Sequence, residues 1–217
     1  GADIVLQGVE ADSNFGRGGY AQIGHGGMAN AGDREGAITV TSGGGVLLNR
    51  GTTNEAYAQI GHGGRSAGGT ISDADISVTS ANGGKVALQG AGLPATDGFT
   101  AIRAYTQIGH GGHNGDIEVD AAVTVTGDGG IDILGGGYQE SFAMIGHGGD
   151  SADAQGTGFD GAVTVTANTG DIVMGANLSD GPVGNRTFAR NAHRGNVSAA
   201  ADYSRDLRLE AAAGSEI

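Results

Sequence analysis

The chain has 217 residues, a net charge of −13 and one lysine, Lys85, so its surface repels DNA, RNA and anionic lipid. Glycine fills 46 positions and cysteine none, which excludes a disulfide framework and a thiolate zinc site. No three-residue glycine period marks a collagen, no apolar run approaches the ~18 residues that span a bilayer, and Gly1 to Gly8 do not read as a signal peptide.

The chain opens on a short apolar alternation, Ile4/Leu6. The segment YAQIGHGG follows at Tyr20 to Gly27, then a second alternation, Ile38/Val40, and a tight turn at Ser42 to Gly45. These three pieces, a, b and c, return in the same order. Segment a recurs at Val46/Leu48, Val86/Leu88, Ile131/Ile133 and Ile172/Met174. Segment b recurs unchanged at Tyr57 to Gly64, as YTQIGHGG from Tyr105, as FAMIGHGG from Phe142 and as a decayed FARNAHRG from Phe188. Segment c recurs at Ile76/Val78, Val123/Val125, Val163/Val165 and Leu207/Leu209. Successive b copies lie 37, 48, 37 and 46 residues apart, a period that marks a solenoid or a propeller.

In segment c apolar residues alternate with threonine, as in Ile38-Thr39-Val40-Thr41, and a two-residue period of β-branched residues predicts a strand. Segments a and b alternate in the same way, and almost no helix is expected. The predicted fold is all-β: a right-handed parallel β-helix of about five coils, each with three short strands and variable loops. The coils fall at about 1–43, 44–83, 84–128, 129–169 and 170–217, and form a single array that reads as part of a longer one. A β-propeller with one repeat per blade is the alternative; the missing fourth strand and the absence of tryptophan disfavour it.

In stacked coils, equivalent residues form columns at a spacing of ~4.8 Å. Ile23, Ile60, Ile108 and Ile145 point inward and end at Asn191, beside Ala21, Ala58, Thr106, Ala143 and Ala189. Tyr20, Tyr57, Tyr105, Phe142 and Phe188 form an aromatic ladder, read as closing the strand rather than as an exposed platform for sugar rings. His25, His62, His110, His147 and His193 form a histidine ladder, with His113 outside it. It reads as a corner of neutral imidazoles that donate to carbonyls or to one another. A metal or catalytic row is disfavoured, since no acidic residue or second histidine recurs at a fixed offset. Gln22, Gln59 and Gln107 read as a ladder of side-chain amides, broken by Met144. No catalytic, cofactor-binding or metal-ligating residue is expected, apart from adventitious calcium on loop acids such as Asp33, Glu35, Asp73, Asp75, Asp150 and Asp153. Changes at 65–67, between b and c, are expected to be tolerated.

The repeated IGHGG, followed by a Gly/Asp loop and an I-T-V-T-x-G-G strand, resembles bacterial exoproteins of the filamentous-haemagglutinin type. The resemblance lies in repeat style and covers Gly1 to about Gly214. It implies a repeat-rich adhesin exported by two-partner secretion, with a β-helical shaft at the cell surface or outside the cell. It carries over no catalytic residue. The expected function is therefore a non-enzymatic structural segment: an adhesin shaft, extracellular fibre or biofilm matrix component. Its expected partners are further repeats of the same chain or head-to-tail copies, with glycans or other cell surfaces met by the loops, and neither nucleic acid nor membrane insertion. A glycan-binding or polysaccharide-degrading β-helix and a self-assembling filament subunit are the alternatives.

Overall fold

The computed structural model describes residues 1–9, 18–90, 102–136, 140–150, 153–176, 188–191 and 207–211. Every regular element among them is a strand, and the strands stack into four parallel sheets. The first sheet holds the a segments: Ile4–Gln7, Val46–Asn49, Val86–Gln89, Ile131–Gly135 and Ile172–Ala176. The second holds the b segments: Tyr20–Ile23, Tyr57–Ile60, Tyr105–Ile108, Phe142–Ile145 and Phe188–Asn191. The third contains Arg34–Glu35, Gly68–Ser72, Asp116–Asp120 and Asp153–Asp160. The fourth holds the c segments: Ile38–Ser42, Ile76–Ser80, Val123–Gly127, Val163–Ala167 and Leu207–Ala211. Register is strict. Tyr20 pairs with Tyr57, Tyr57 with Tyr105, and Phe142 with Phe188; Ile23, Ile60, Ile108, Ile145 and Asn191 follow one another in the same way. This is a parallel β-helix, and a radial propeller is excluded.

Each of the first four coils has four strands, not the three expected. The third-sheet strands share no motif and run from two to eight residues, with a register shift between Ile117 and Val119 against the strand from Asp153. What they share is one inward column, Ile71, Val119 and Phe159, with Arg34 at its end. Arg34 is nevertheless buried, and its guanidinium donates to the Asn30, Gly32 and Gly68 carbonyls at 2.8–3.0 Å. Those three bonds offset the desolvation that lowers its pKa.

Three apolar clusters follow from this layout. The main core lies among the first, second and fourth sheets and takes the inward a, b and c residues. Ile71, Ala74, Ile117, Val119, Ala121 and Phe159 make a smaller core under the third sheet. Tyr57, Tyr105, Phe142 and Met144 form another on the opposite face of the second sheet, which is thus buried on both faces at these coils. The segment after IGHGG folds back against that face. Ala67 is accordingly 1% exposed and Arg65 pairs with Glu55 at 2.9 Å, so residues 65–67 are not the tolerant solvated loop that was expected.

Thr106 stands in the core column between Ala58 and Ala143, fully buried, and its hydroxyl has no hydrogen-bond partner. Thr106→Val keeps the shape and removes a buried polar atom. It is expected to raise stability by about 1 kcal/mol, read from a denaturant midpoint; a loss of stability would show the hydroxyl to be satisfied.

Candidate functional site

The residues with chemistry gather where the second sheet turns toward the third. The sequence Gly-His-Gly-Gly makes that corner. A Cβ on Gly109 would overlap the carbonyl oxygen of Gly146 in the next coil, and Gly24 and Gly61 meet Gly61 and Gly109 in the same way. A Cβ on the last glycine, Gly112, would overlap the Tyr105 hydroxyl. The motif is therefore a close-packing device: glycine lets adjacent coils, and the folded-back chain, touch.

Between those glycines the imidazoles form a column, stacked from His62 to His147, with His25 tilted by 42° at its end. Ring centroids are 5.0, 5.1 and 4.9 Å apart from His25 through His62 and His110 to His147. The amides of His25, His62 and His110 donate to Nδ1 of the next imidazole at 2.8, 2.9 and 3.1 Å. The Nε2 atoms of His62, His110 and His147 face the carbonyls of Gly36, Ala74 and Ala121 at 2.7–2.9 Å. An amide only donates and a carbonyl only accepts, so each ring is neutral and carries its proton on Nε2. Both nitrogens of these three rings are engaged, and they offer no lone pair to a metal. His193 lies outside the described residues.

Burial lowers the pKa of His62, and pushes that of His110 down to about 3 against the raising effect of its carbonyl partner. Unfolded His110 binds a proton below about 6.5, whereas folded His110 does not until near its lowered value. The stability that neutral His110 contributes is thus complete above about pH 6.5 and falls as the pH drops toward 3. The expected loss for His110 alone is about 1.4 kcal/mol per pH unit across that window. Denaturation at pH 7 and pH 4.5 should show His110→Asn less stable than the parent but with a flatter pH slope; an unchanged slope would refute the assignment.

The glutamines stack in register as a ladder. Gln22, Gln59 and Gln107 donate to corner carbonyls of the next coil: Gly61 and Gly63, Gly109 and Gly111, Gly146 and Gly148. Met144 replaces this device with a buried apolar side chain.

The aromatic rings stack face to face from Tyr20 through Tyr57 and Tyr105 to Phe142, 4.7–4.8 Å apart and within 5° of parallel. Tyr57, Tyr105 and Phe142 are fully buried, and only Tyr20, at 43%, is exposed. The buried rings cannot act as a platform for sugars. Phe188 continues the backbone register.

Two charged columns flank this stack, and the repeat pattern did not reveal them. Glu55, Arg103 and Glu140 stand two residues before the aromatic, all at positive φ (57–66°). Arg65, His113 and Asp150 stand eight residues after it. Folding back of the chain brings the columns together. Arg65 meets Glu55 at 2.9 Å, and Arg103 meets Glu55 at 3.6 Å and Glu140 at 2.7 Å. His113 Nε2 lies 3.0 Å from Glu140 and 3.7 Å from Asp150. In coil one the same pair of positions is Gly18 and Met28, whose methyl lies where a Cβ on Gly18 would go. His113, set aside in the sequence, thus joins two acids in a cluster at most 8% exposed. Burial lowers its pKa, against the raising effects of Glu140 and Asp150.

Of the loop acids considered for calcium, Asp33 and Asp75 are exposed and accept backbone amides, from Thr70 at 2.9 Å and Ala122 at 2.7 Å. Glu35 and Asp73 are also exposed, Asp150 belongs to the buried cluster, and the side chain of Asp153 lies outside the description. Ser72, Asp73, Asp75, Asp120, Ala121 and Gly161 line an open cleft of about 640 Å³. The third sheet also sets Asp120 beside Asp160, and Glu35 beside Ser72, in one column. Three of the four positions of this column are acidic, in a sheet the repeat pattern did not show.

No protein-family model, curated protein or solved structure gives a significant match to the chain.

Proposed function

We propose that the chain is a structural shaft segment of a secreted surface protein, of the adhesin, fibre or matrix type. The observation that carries this reading is columnar. Core, aromatic, imidazole and amide columns run from coil to coil in register, and loop variation does not disturb them. Such a stack is stiff because each coil satisfies the backbone of its neighbours. Export by two-partner secretion and a place at the cell surface rest on the resemblance in repeat style alone.

Five coils at ~4.8 Å span only ~24 Å, so reach requires more coils, from the same polypeptide or from stacked copies. The first coil offers a template for them: Tyr20 is 43% exposed, and Ile4, Ala21 and Ile23 are only partly buried against the core. Sedimentation of the 217-residue chain over micromolar concentrations should show association that grows with concentration and is weakened by Ile23→Lys. A stable monomer with an ordered first coil would overturn the reading.

A polysaccharide-cleaving reading draws on a single observation, the cleft with Asp73, Asp75 and Asp120. Polygalacturonate or alginate turnover abolished by Asp120→Asn would establish it in place of the shaft.

A further inference from the structure

We propose that His113, Glu140 and Asp150 form a divalent transition-metal site of the zinc class that ties the third coil to the fourth. The ligand atoms of the three side chains all lie within 4.8 Å of one another, and no other such group of three occurs among the described residues. His113 Nε2 stands 3.0 Å from Glu140 Oε2 and 3.7 Å from Asp150 Oδ2. Ligands bound to tetrahedral zinc at ~2.0–2.1 Å stand about 3.3–3.4 Å apart, so these two separations bracket that of a bound ion.

The donor set selects the metal. One imidazole nitrogen with two carboxylates suits Zn²⁺, Co²⁺ or Ni²⁺, whereas Ca²⁺ takes oxygen alone. The site shares Asp150 with the loop acids considered for calcium, but its imidazole selects a different class of ion. Its surroundings hold the ligands in place. Arg103 Nε binds Glu140 Oε2 at 2.7 Å and orients that carboxylate, and the Asn114 amide, next to His113, donates to the Asp150 carbonyl at 2.9 Å. Exposure is 5% at His113, 8% at Glu140 and 1% at Asp150, so an ion there is shielded. One feature weakens the site. His113 Nδ1 is buried with no hydrogen-bond partner among the described residues, whereas a metal-bound imidazole commonly donates from that atom. The affinity expected is therefore about 10–100-fold below that of a site with its outer partner in place.

The test is zinc titration of the untagged full chain by calorimetry. One equivalent should bind per chain, at least about tenfold more weakly in His113→Asn and in Asp150→Asn. His25→Ala, at the exposed end of the imidazole column, should bind as the parent does, and excess Ca²⁺ should not compete. Should the variants misfold, X-ray absorption of the zinc-loaded parent decides: one imidazole and oxygen ligands are expected. Absence of saturable binding, unchanged affinity in both variants, displacement by Ca²⁺, or zinc without an imidazole would each overturn the proposal and leave the cluster as an ion-pair network.

Discussion

Ile108→Asp is expected to destroy the central coils. Ile108 is fully buried in the main core, paired in register with Ile60 on one side and Ile145 on the other. The substitution removes its packing against both neighbours and places a carboxylate where no described polar side chain lines the column. Losing the aliphatic side chain costs about 2–5 kcal/mol, and the unpaired acid adds to that. Against a typical total stability of about 5–15 kcal/mol, a change of this size unfolds the chain or opens it at the third coil. Loss of the β-sheet circular dichroism signal at ambient temperature is the expected readout. Thr124→Asp supplies the control. Thr124 is an exposed strand residue of the fourth sheet between inward Val123 and Val125, and the change should shift stability by no more than about 0.5 kcal/mol. Equal destabilisation by the two would mean that the inward and outward faces are misassigned.

Gly109→Ala is expected to have the second largest effect, although it adds one methyl group. Gly109 has φ 150°, and its Cβ would fall on the Gly146 carbonyl oxygen, which is backbone and cannot swing away. The two coils must separate at that corner. Three bonds lie across it: the Gly146 amide to the Ile108 carbonyl at 2.9 Å, the His110 amide to His147 Nδ1 at 3.1 Å, and Gln107 to the Gly146 carbonyl at 2.9 Å. The expected cost is about 3–5 kcal/mol, from the backbone strain and the loss of two of these buried bonds. Gly83→Ala separates strain from crowding. Gly83 also has positive φ, 76°, but a Cβ there meets nothing within 4 Å, so only about 1 kcal/mol is expected. A small effect at Gly109 would show that the corner yields and that the GHGG repeat is not a packing requirement.

Much of this arrangement was legible in the residues themselves. The alternation of Ile38-Thr39-Val40-Thr41 and its four counterparts marked strands, because a pleat exposes every second side chain to the core. The five-residue offset from aromatic to histidine is unchanged in every copy while the loops change length, as expected of strands that stack in register. That favoured the parallel β-helix over the propeller and predicted its core columns and the aromatic and imidazole ladders; the strand pairing excludes the propeller. The third sheet was not legible. Arg34, Ile71, Val119 and Phe159 share a column but not a residue type, and the loops before them differ in length. A sheet needs only one inward anchor per strand, and two-residue strands such as Arg34–Glu35 hold no period. The charged columns were hidden for a related reason. Neighbouring coils attract through opposite charge, so the column alternates, with Arg103 between Glu55 and Glu140, while a repeat search looks for likeness. Tertiary structure alone decided that the chain after IGHGG folds back over the second sheet. That one turn buried the aromatic stack, brought Arg65, His113 and Asp150 against the acids and arginine before the strand, and so created the cluster of His113, Glu140 and Asp150, whose members lie up to 37 residues apart in the chain.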